Sequence, residues 1–357
     1  MVVRRCFLVF LVAVAVGCSS SDSEKPPSHT SMDVSLRCGK EARPKARGPQ
    51  EVPIELSETH SGESPYQIVC TIGMVTDIAR QVAGDRASVT GLMKEGVDPH
   101  LYQATRDDVR RLQGADVVFY SGLNLEAPML SLFNRQAQDG KPVFAVTDGI
   151  SRNYLHSPPE FEGHYDPHVW GDALAWSLCV DHVARALSAY DPDGAETYAA
   201  NAKAYREELK TVHDYAREAI DSIPKDRRVL ITAHDAFGYF SCAYQIPVKS
   251  AQGISTESEA GVNDVNQLVD LIVAKKIQAI FVESSVNQKN MVAIIEGAKE
   301  RGQEVAIGGE LYSDAMGPAG TYEGTYIGMI DHNATTIARA LGGKAPERGY
   351  SGKLTTD

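Results

Sequence analysis

The chain has 357 residues, 43% of them apolar, which is enough for two domains with substantial cores. The formal net charge is −12, with no basic tail or stripe, and this argues against nucleic acid as a partner. Six cysteines occur without a C-x-x-C pair or a disulfide-rich spacing, so a cysteine-stapled scaffold is set aside.

Arg4 and Arg5 precede the apolar run Cys6 to Val16, and small residues follow up to Cys18. This reads as a secretory signal over 1–17, too short for a membrane span. Ala15-Val16-Gly17-Cys18 resembles a bacterial lipobox. That resemblance implies cleavage before Cys18 and lipidation of its thiol, placing the protein outside the cytoplasm as a membrane-anchored lipoprotein. Residues 19–65 hold ten Ser and six Pro with few large apolar side chains. Residues 18–65 are therefore expected to be a flexible tether with a reach of roughly 40 Å. Cys70, Cys179 and Cys242 sit in apolar contexts and read as packed thiols. Cys38 falls in the tether and has no assigned role.

The globular body starts near Tyr66. Expected strands at 66–72, 87–93, 115–121 and 142–146 alternate with helices at 74–83, 105–113 and 126–138. The alternation restarts at 228. Strands at 228–233, 246–250, 278–284 and 304–309 alternate with helices at 235–244, 263–275 and 289–301, and a terminal helix covers about 323–341. This predicts an α/β fold of two Rossmann-like lobes with mostly parallel sheets. The boundaries are 66–170 for the first lobe, 171–225 for linker helices, 226–345 for the second lobe and 346–357 for a tail. One linker helix covers 171–189. A second is capped by Asp191, opened by Pro192 and stopped by Pro224. Its stripe of Tyr198, Ala202, Tyr205, Leu209, Val212, Ala216, Ile220 and Ile223 has helical spacing. Thirty-two residues would give a rod of roughly 48 Å, long enough to hold two lobes apart at a fixed distance.

The tripeptide Asp-Pro-His occurs twice, at 98–100 and 166–168. His100, His168, His234 and Asp314 each lie in a loop that follows a strand. In open α/β sheets ligands bind in the crevice beyond the carboxyl ends of strands. Two of the four residues come from each lobe, so a cleft between the lobes gathers them. Three imidazoles and a carboxylate form a set suited to one divalent transition-metal ion. Asp98, Asp166 and Glu283 are candidate acceptors for imidazole ring N–H groups. Neutral imidazoles are required for ligation, so release is expected as pH falls toward about 6.5. A single His at a strand end is more often a cap, but the repeated tripeptide argues for a shared task. His60, His156, His164, His182 and His213 read as surface or helix-face residues.

The stretches "GVDPHLY", "DPHVW", "TAHDAFGYFSCAY", "IFVESSVNQKN" and "GGELYSDAMGPAGTYEGTY" occur in order along the body. In these the chain closely resembles the TroA-type metal-binding lipoproteins, the solute-binding components of zinc and manganese ABC importers. The resemblance implies a monomer of two lobes on a long rigid helix, with Zn²⁺ or Mn²⁺ held as cargo in the cleft. It maps the ligands onto His100, His168, His234 and Asp314. It implies an ABC permease and its ATPase as partners, and the membrane through a lipid on Cys18. Members that look manganese-dedicated carry Glu at the position of His234, so the three-His set leaves both ions open. Two other readings stand beside this one. A metal-binding surface adhesin would use the same site and tether. A metal-dependent hydrolase would need a general base near the ion, for which Glu283 is the candidate; H-E-x-x-H and G-x-S-x-G are both absent.

Overall fold

The computed structural model describes residues 50–161 and 163–355. The expected signal segment, Cys18 and Cys38 lie outside the described residues. The first lobe runs β1 (Tyr66–Cys70), α1 (Gly73–Ala83), β2 (Ala87–Gly91), α2 (Arg106–Gly114), β3 (Val117–Tyr120), α3 (Leu130–Gln138) and β4 (Val143–Ala145). Its strands form one parallel sheet in the order β2-β1-β3-β4. The central strands read YQIVC and VVFY, apolar runs suited to a sheet covered on both faces. Thr105 starts α2 with a capping box: its hydroxyl accepts from the Asp108 N–H, and the Asp108 carboxylate accepts from the Thr105 N–H.

Two helices then connect the lobes, α4 (Ala173–Tyr190) and α5 (Ala195–Asp221). Asp172 caps α4 by accepting from the N–H groups of Leu174 and Ala175. The long helix is shorter than expected. Pro192–Gly194 form a 3₁₀ turn, and the 27 residues of α5 span about 40 Å. Asp191 does not act as a side-chain cap. Its carboxylate pairs with Arg86 at 2.6 Å and accepts from the Tyr198 hydroxyl, tying the start of α5 to the turn before β2. The expected stripe from Tyr198 to Ile220 is buried, because α5 packs on α4, α1, α6 and α9.

The second lobe runs β5 (Leu230–Thr232), α6 (Gly238–Tyr244), β6 (Val248–Ser250), α7 (Val262–Lys275), β7 (Ala279–Glu283), α8 (Lys289–Glu300), β8 (Ala306–Leu311) and α9 (Tyr326–Ala340). Its strands pair in parallel as two ladders, β5-β6 and β7-β8, with β5 beside β7. The β7–β8 register slips between Ile280 and Phe281. The extra residue is Gly308, where a Cβ would meet the Phe281 ring at 2.9 Å, so the bulge takes glycine. One continuous core joins the lobes. It runs from Ile68 and Phe119 through Trp176, Tyr198 and Leu209 to Phe240, Phe281 and Ile330. A smaller cluster around Ile272, Ile280 and Ile294 lies under α7 and α8. Among the described residues no helix is long and apolar enough to cross a membrane.

Several expectations need correction. The stretch 50–65, expected within a flexible tether, lies against the first lobe. The Gln50 N–H donates to the Gly149 carbonyl, Arg185 donates to the Gln50 and Val52 carbonyls, and the His60 N–H donates to the Tyr190 carbonyl. Val52, Ile54 and Leu56 are half-buried while Glu51, Pro53 and Glu55 face out, the period-2 pattern of an extended strap. The expected tail is also fastened. Leu354 is buried, Tyr350 and Ser351 bond Asp331, and Thr355 bonds Glu323. His182 and His213 sit on helix faces as expected, but both faces point inward and both side chains are buried. Cys70 and Cys179 are fully buried, whereas Cys242 is only half-buried.

Candidate metal centre

Four loops at the carboxyl ends of strands meet between the lobes. His100 follows β2, His168 ends the long connection after β4, His234 lies two residues past β5, and Asp314 lies three past β8. All four are buried, with side-chain exposures of 4% for His100 and 0% for His168, His234 and Asp314. One donor atom from each lies within 4.8 Å of all the others. His100 Nε2 is 3.3 Å from His168 Nε2. Asp314 Oδ1 is 3.3 Å from His168 Nε2, and its Oδ2 is 3.1 Å from His234 Nε2 and 3.8 Å from His100 Nε2. Donors at about 2.1 Å from one ion in a tetrahedral shell stand roughly 3.4 Å apart, and these four separations, from 3.1 to 3.8 Å, lie around that value. Both Asp314 oxygens and His234 Nε2 are buried without an aligned hydrogen bond, although they approach one another closely. Polar atoms left so in a protein interior call for a ligand.

The repeated tripeptide has a local physical meaning. Asp98 Oδ1 accepts from the His100 N–H at 2.8 Å, and Asp166 Oδ1 accepts from the His168 N–H at 3.0 Å. The intervening Pro has no N–H to compete, so each Asp closes an Asx turn that presents the imidazole two residues on. Beyond this the two copies diverge. Asp166 Oδ1 also accepts from the His168 ring Nδ1–H at 2.8 Å. Asp98 does not reach the His100 ring as expected; its Oδ2 accepts from the Thr256 hydroxyl of the second lobe at 2.6 Å. Glu283, the last residue of β7, uses both oxygens on His234: Oε1 takes the backbone N–H at 2.8 Å and Oε2 the ring Nδ1–H at 2.5 Å. With Nδ1 thus engaged, Nε2 of each neutral ring faces the centre as an acceptor. The double use of Glu283 leaves it poorly placed as a general base.

The carboxylates control the charge of the rings. Burial works against protonation of His168, but its bonds to Asp166 and Asp314 outweigh that and raise it to about 9. Burial opposes the charge on His234 too, and Glu283 and Asp314 overcome it, holding the ring well above the ordinary imidazole value. For His100 burial dominates over the attraction of Asp314 and lowers it to about 3. Burial would raise Asp314, yet His234 and His168 hold it well below the usual carboxylate range.

Several further residues position the site without touching its donor atoms. Trp170 donates its indole N–H to the Ser313 carbonyl at 2.7 Å, tying the His168 loop to the Asp314 loop. The Tyr326 hydroxyl donates to the Trp170 carbonyl, and the Tyr239 hydroxyl donates to the Asp166 carbonyl. Trp170 closes the stretch Asp166-Pro167-His168-Val169-Trp170, and an indole two residues past a metal-ligand candidate is a local signal. Thr256 lies in a polar loop with nothing to mark it.

Fold and site together define a two-lobed cleft protein built on a rigid helix, with its polar cluster sealed between the lobes. Residues 68–340 match the family model of ZnuA, the periplasmic component A of the zinc-uptake complex. The chain is 46% identical over 282 residues to the manganese-binding lipoprotein MntA of Bacillus subtilis, covering 79% of this chain and 91% of that one. It is 45% identical over 274 residues to the zinc-binding protein TroA of Treponema pallidum, covering 77% and 88%. The structure of that periplasmic zinc-binding protein superposes with a TM-score of 0.75, over 78% of this chain and 99% of that one, at 44% identity. A metal ABC transporter substrate-binding lipoprotein, ScbA of Streptococcus cristatus, is 31% identical over 292 residues, covering 80% and 92%. The chain belongs to the ZnuA family.

Proposed function

We propose that this protein is the extracytoplasmic receptor of an ABC importer for a divalent metal. It captures one Zn²⁺ or Mn²⁺ between its lobes and hands the ion to the permease that its ATPase drives. His100, His168, His234 and Asp314 are the ligands; Asp166 and Glu283 orient the second and third imidazoles. The observation that carries the reading is the convergence of four buried donors from four strand ends, all within 4.8 Å of one another, close enough to share one ion. The relatives, a manganese-binding lipoprotein, a zinc-binding protein and an ABC transporter substrate-binding lipoprotein, support cargo capture over an adhesin or a hydrolase. The protein works as a monomer, anchored by a lipid on Cys18 after loss of residues 1–17.

The test is metal analysis and titration of protein purified without added ions. One tight ion per chain is expected, lost in a His168→Ala, Asp314→Ala double variant that keeps its fold by circular dichroism. A wild-type protein that takes up neither ion, or a double variant that binds as tightly, defeats the proposal.

A further inference from the structure

The four ligand residues are not held equally. His168 is fixed by Asp166 at both backbone and ring, and its loop is tied down at Trp170. His234 is fixed by Glu283 at both backbone and ring. His100 stands on the turn between β2 and α2, and the Asp98 carboxylate holds it through its backbone N–H alone. The second oxygen of that carboxylate is held from across the cleft by Thr256. Thr256 belongs to the loop between β6 and α7. This loop continues the β5–β6 pairing past the strands: Ala251 N–H donates to Thr232, Gln252 N–H to Ala233, and Asp235 N–H to Gly253. It therefore brackets His234 on both sides. Asp98 is half-buried at the rim of the cleft, and Leu101, directly after His100, is 53% exposed. Of the three histidines, the least anchored is thus also the one nearest solvent.

We propose that the Asp98–Thr256 hydrogen bond is a cross-cleft latch that governs how fast the metal leaves, with His100 the ligand that lets go first. This rests on the metal-receptor reading above. Thr256 is a positioning residue; it touches no donor atom of the site and acts through the Asp98 turn. When the latch opens, the His100 turn loses its tie to the second lobe. His168 keeps Asp166, His234 keeps Glu283, and the loop of Asp314 keeps the Trp170 bond to the Ser313 carbonyl. The device suits a receptor whose long helix resists wide opening, because release then needs the movement of one short turn.

The experiment measures release of Zn²⁺, and separately Mn²⁺, from loaded full-length protein into excess chelator by stopped flow. A hydrogen bond to a charged group supports an expected acceleration on the order of 10-fold for Thr256→Val, with one ion per chain still bound. Thr256→Ser should restore the wild-type rate, since it keeps the hydroxyl. In a His100→Ala background the Thr256→Val change should no longer alter the rate, as the ligand it controls is gone. An unchanged rate in Thr256→Val, a Ser variant as fast as the Val variant, or an equal effect in the His100→Ala background overturns the latch while leaving one-ion binding intact. Failure of the wild type to take up an ion removes the receptor reading and the latch with it.

Discussion

Glu283 grips His234 at two points, taking its backbone N–H with one oxygen and its ring Nδ1–H with the other. Both groups are buried, so the imidazole has one tautomer and one direction available when neutral. Glu283→Ala should therefore weaken Zn²⁺ binding by about 10- to 100-fold while keeping one ion per chain. Glu283→Gln, which can still accept one of the two bonds, should fall between. Competition against a chromophoric chelator measures both. Equal affinities in all three proteins would mean that the orientation of His234 does not matter to the site.

The charge state of the metal-free cage predicts proton release. His168 lies near 9 and His234 is raised well above its ordinary value, so both rings carry a proton at neutral pH, whereas His100, near 3, does not. An incoming ion must displace about two protons at pH ~7. Apparent affinity should then begin to decline below pH ~9, earlier than the ordinary imidazole value of ~6.5 suggests. Folded values raised above unfolded ones stabilise the metal-free protein fully below pH ~6.5, and this stability is lost as pH rises through about 9. The metal-free melting temperature should fall across that window, and that of the loaded protein should not follow it. Calorimetry in buffers of different ionisation heats counts the protons. Uptake without release at neutral pH would contradict the charge assignment.

Metal preference can be moved, but not by one substitution. Three nitrogens favour zinc over manganese on intrinsic affinity, and a carboxylate in place of His234 would favour the harder ion. Glu283 already points both oxygens at position 234, however, so His234→Glu alone sets two buried carboxylates against each other. The single variant should bind both ions poorly. His234→Glu with Glu283→Gln should recover binding and shift the zinc-to-manganese affinity ratio toward manganese. Titration of both ions at fixed pH decides this; an unchanged ratio in the double variant would remove His234 from the ligand set.

The shared core predicts one unfolding event. Apolar packing passes without interruption from the first sheet through α4 and α5 into the second lobe. Calorimetry should give a single transition that metal moves upward by mass action. Small-angle scattering should show almost no change in overall size on loading, because α5 packs against elements of both lobes. Two separate transitions, or a large change in radius of gyration, would mean that the lobes move as independent bodies.

Much of this architecture is legible in the sequence, since its signals are local. Strand and helix periods locate the elements to within a few residues, and candidate ligands at strand ends can be found by looking there. The repeated Asp-Pro-His is also local, because each Asp closes a turn on its own His. The different second partners of Asp98 and Asp166 are not legible. Thr256 is 158 residues from Asp98, and no periodicity joins them. The inward faces of His182 and His213 escape for the same reason: α4 and α5 are covered by elements far along the chain. Segment 50–65 is a different case. Its Val52, Ile54 and Leu56 alternate with polar residues and Pro53, but a three-residue pattern is short beside the Ser- and Pro-rich composition around it.

That strap decides where the chain joins the body. Without it, the polypeptide would meet the first lobe at Tyr66, where β1 begins, on the side of the sheet away from the histidines. Ser57 bonds Gly140, ahead of β4, and Gln50 bonds Gly149, past the end of β4, so the strap climbs the sheet from bottom to top. The point of attachment is carried to the end of the sheet from which His100 and His168 project. A load applied to the chain ahead of Gln50 would then reach the body at the rim of the cleft rather than at the far end of the sheet.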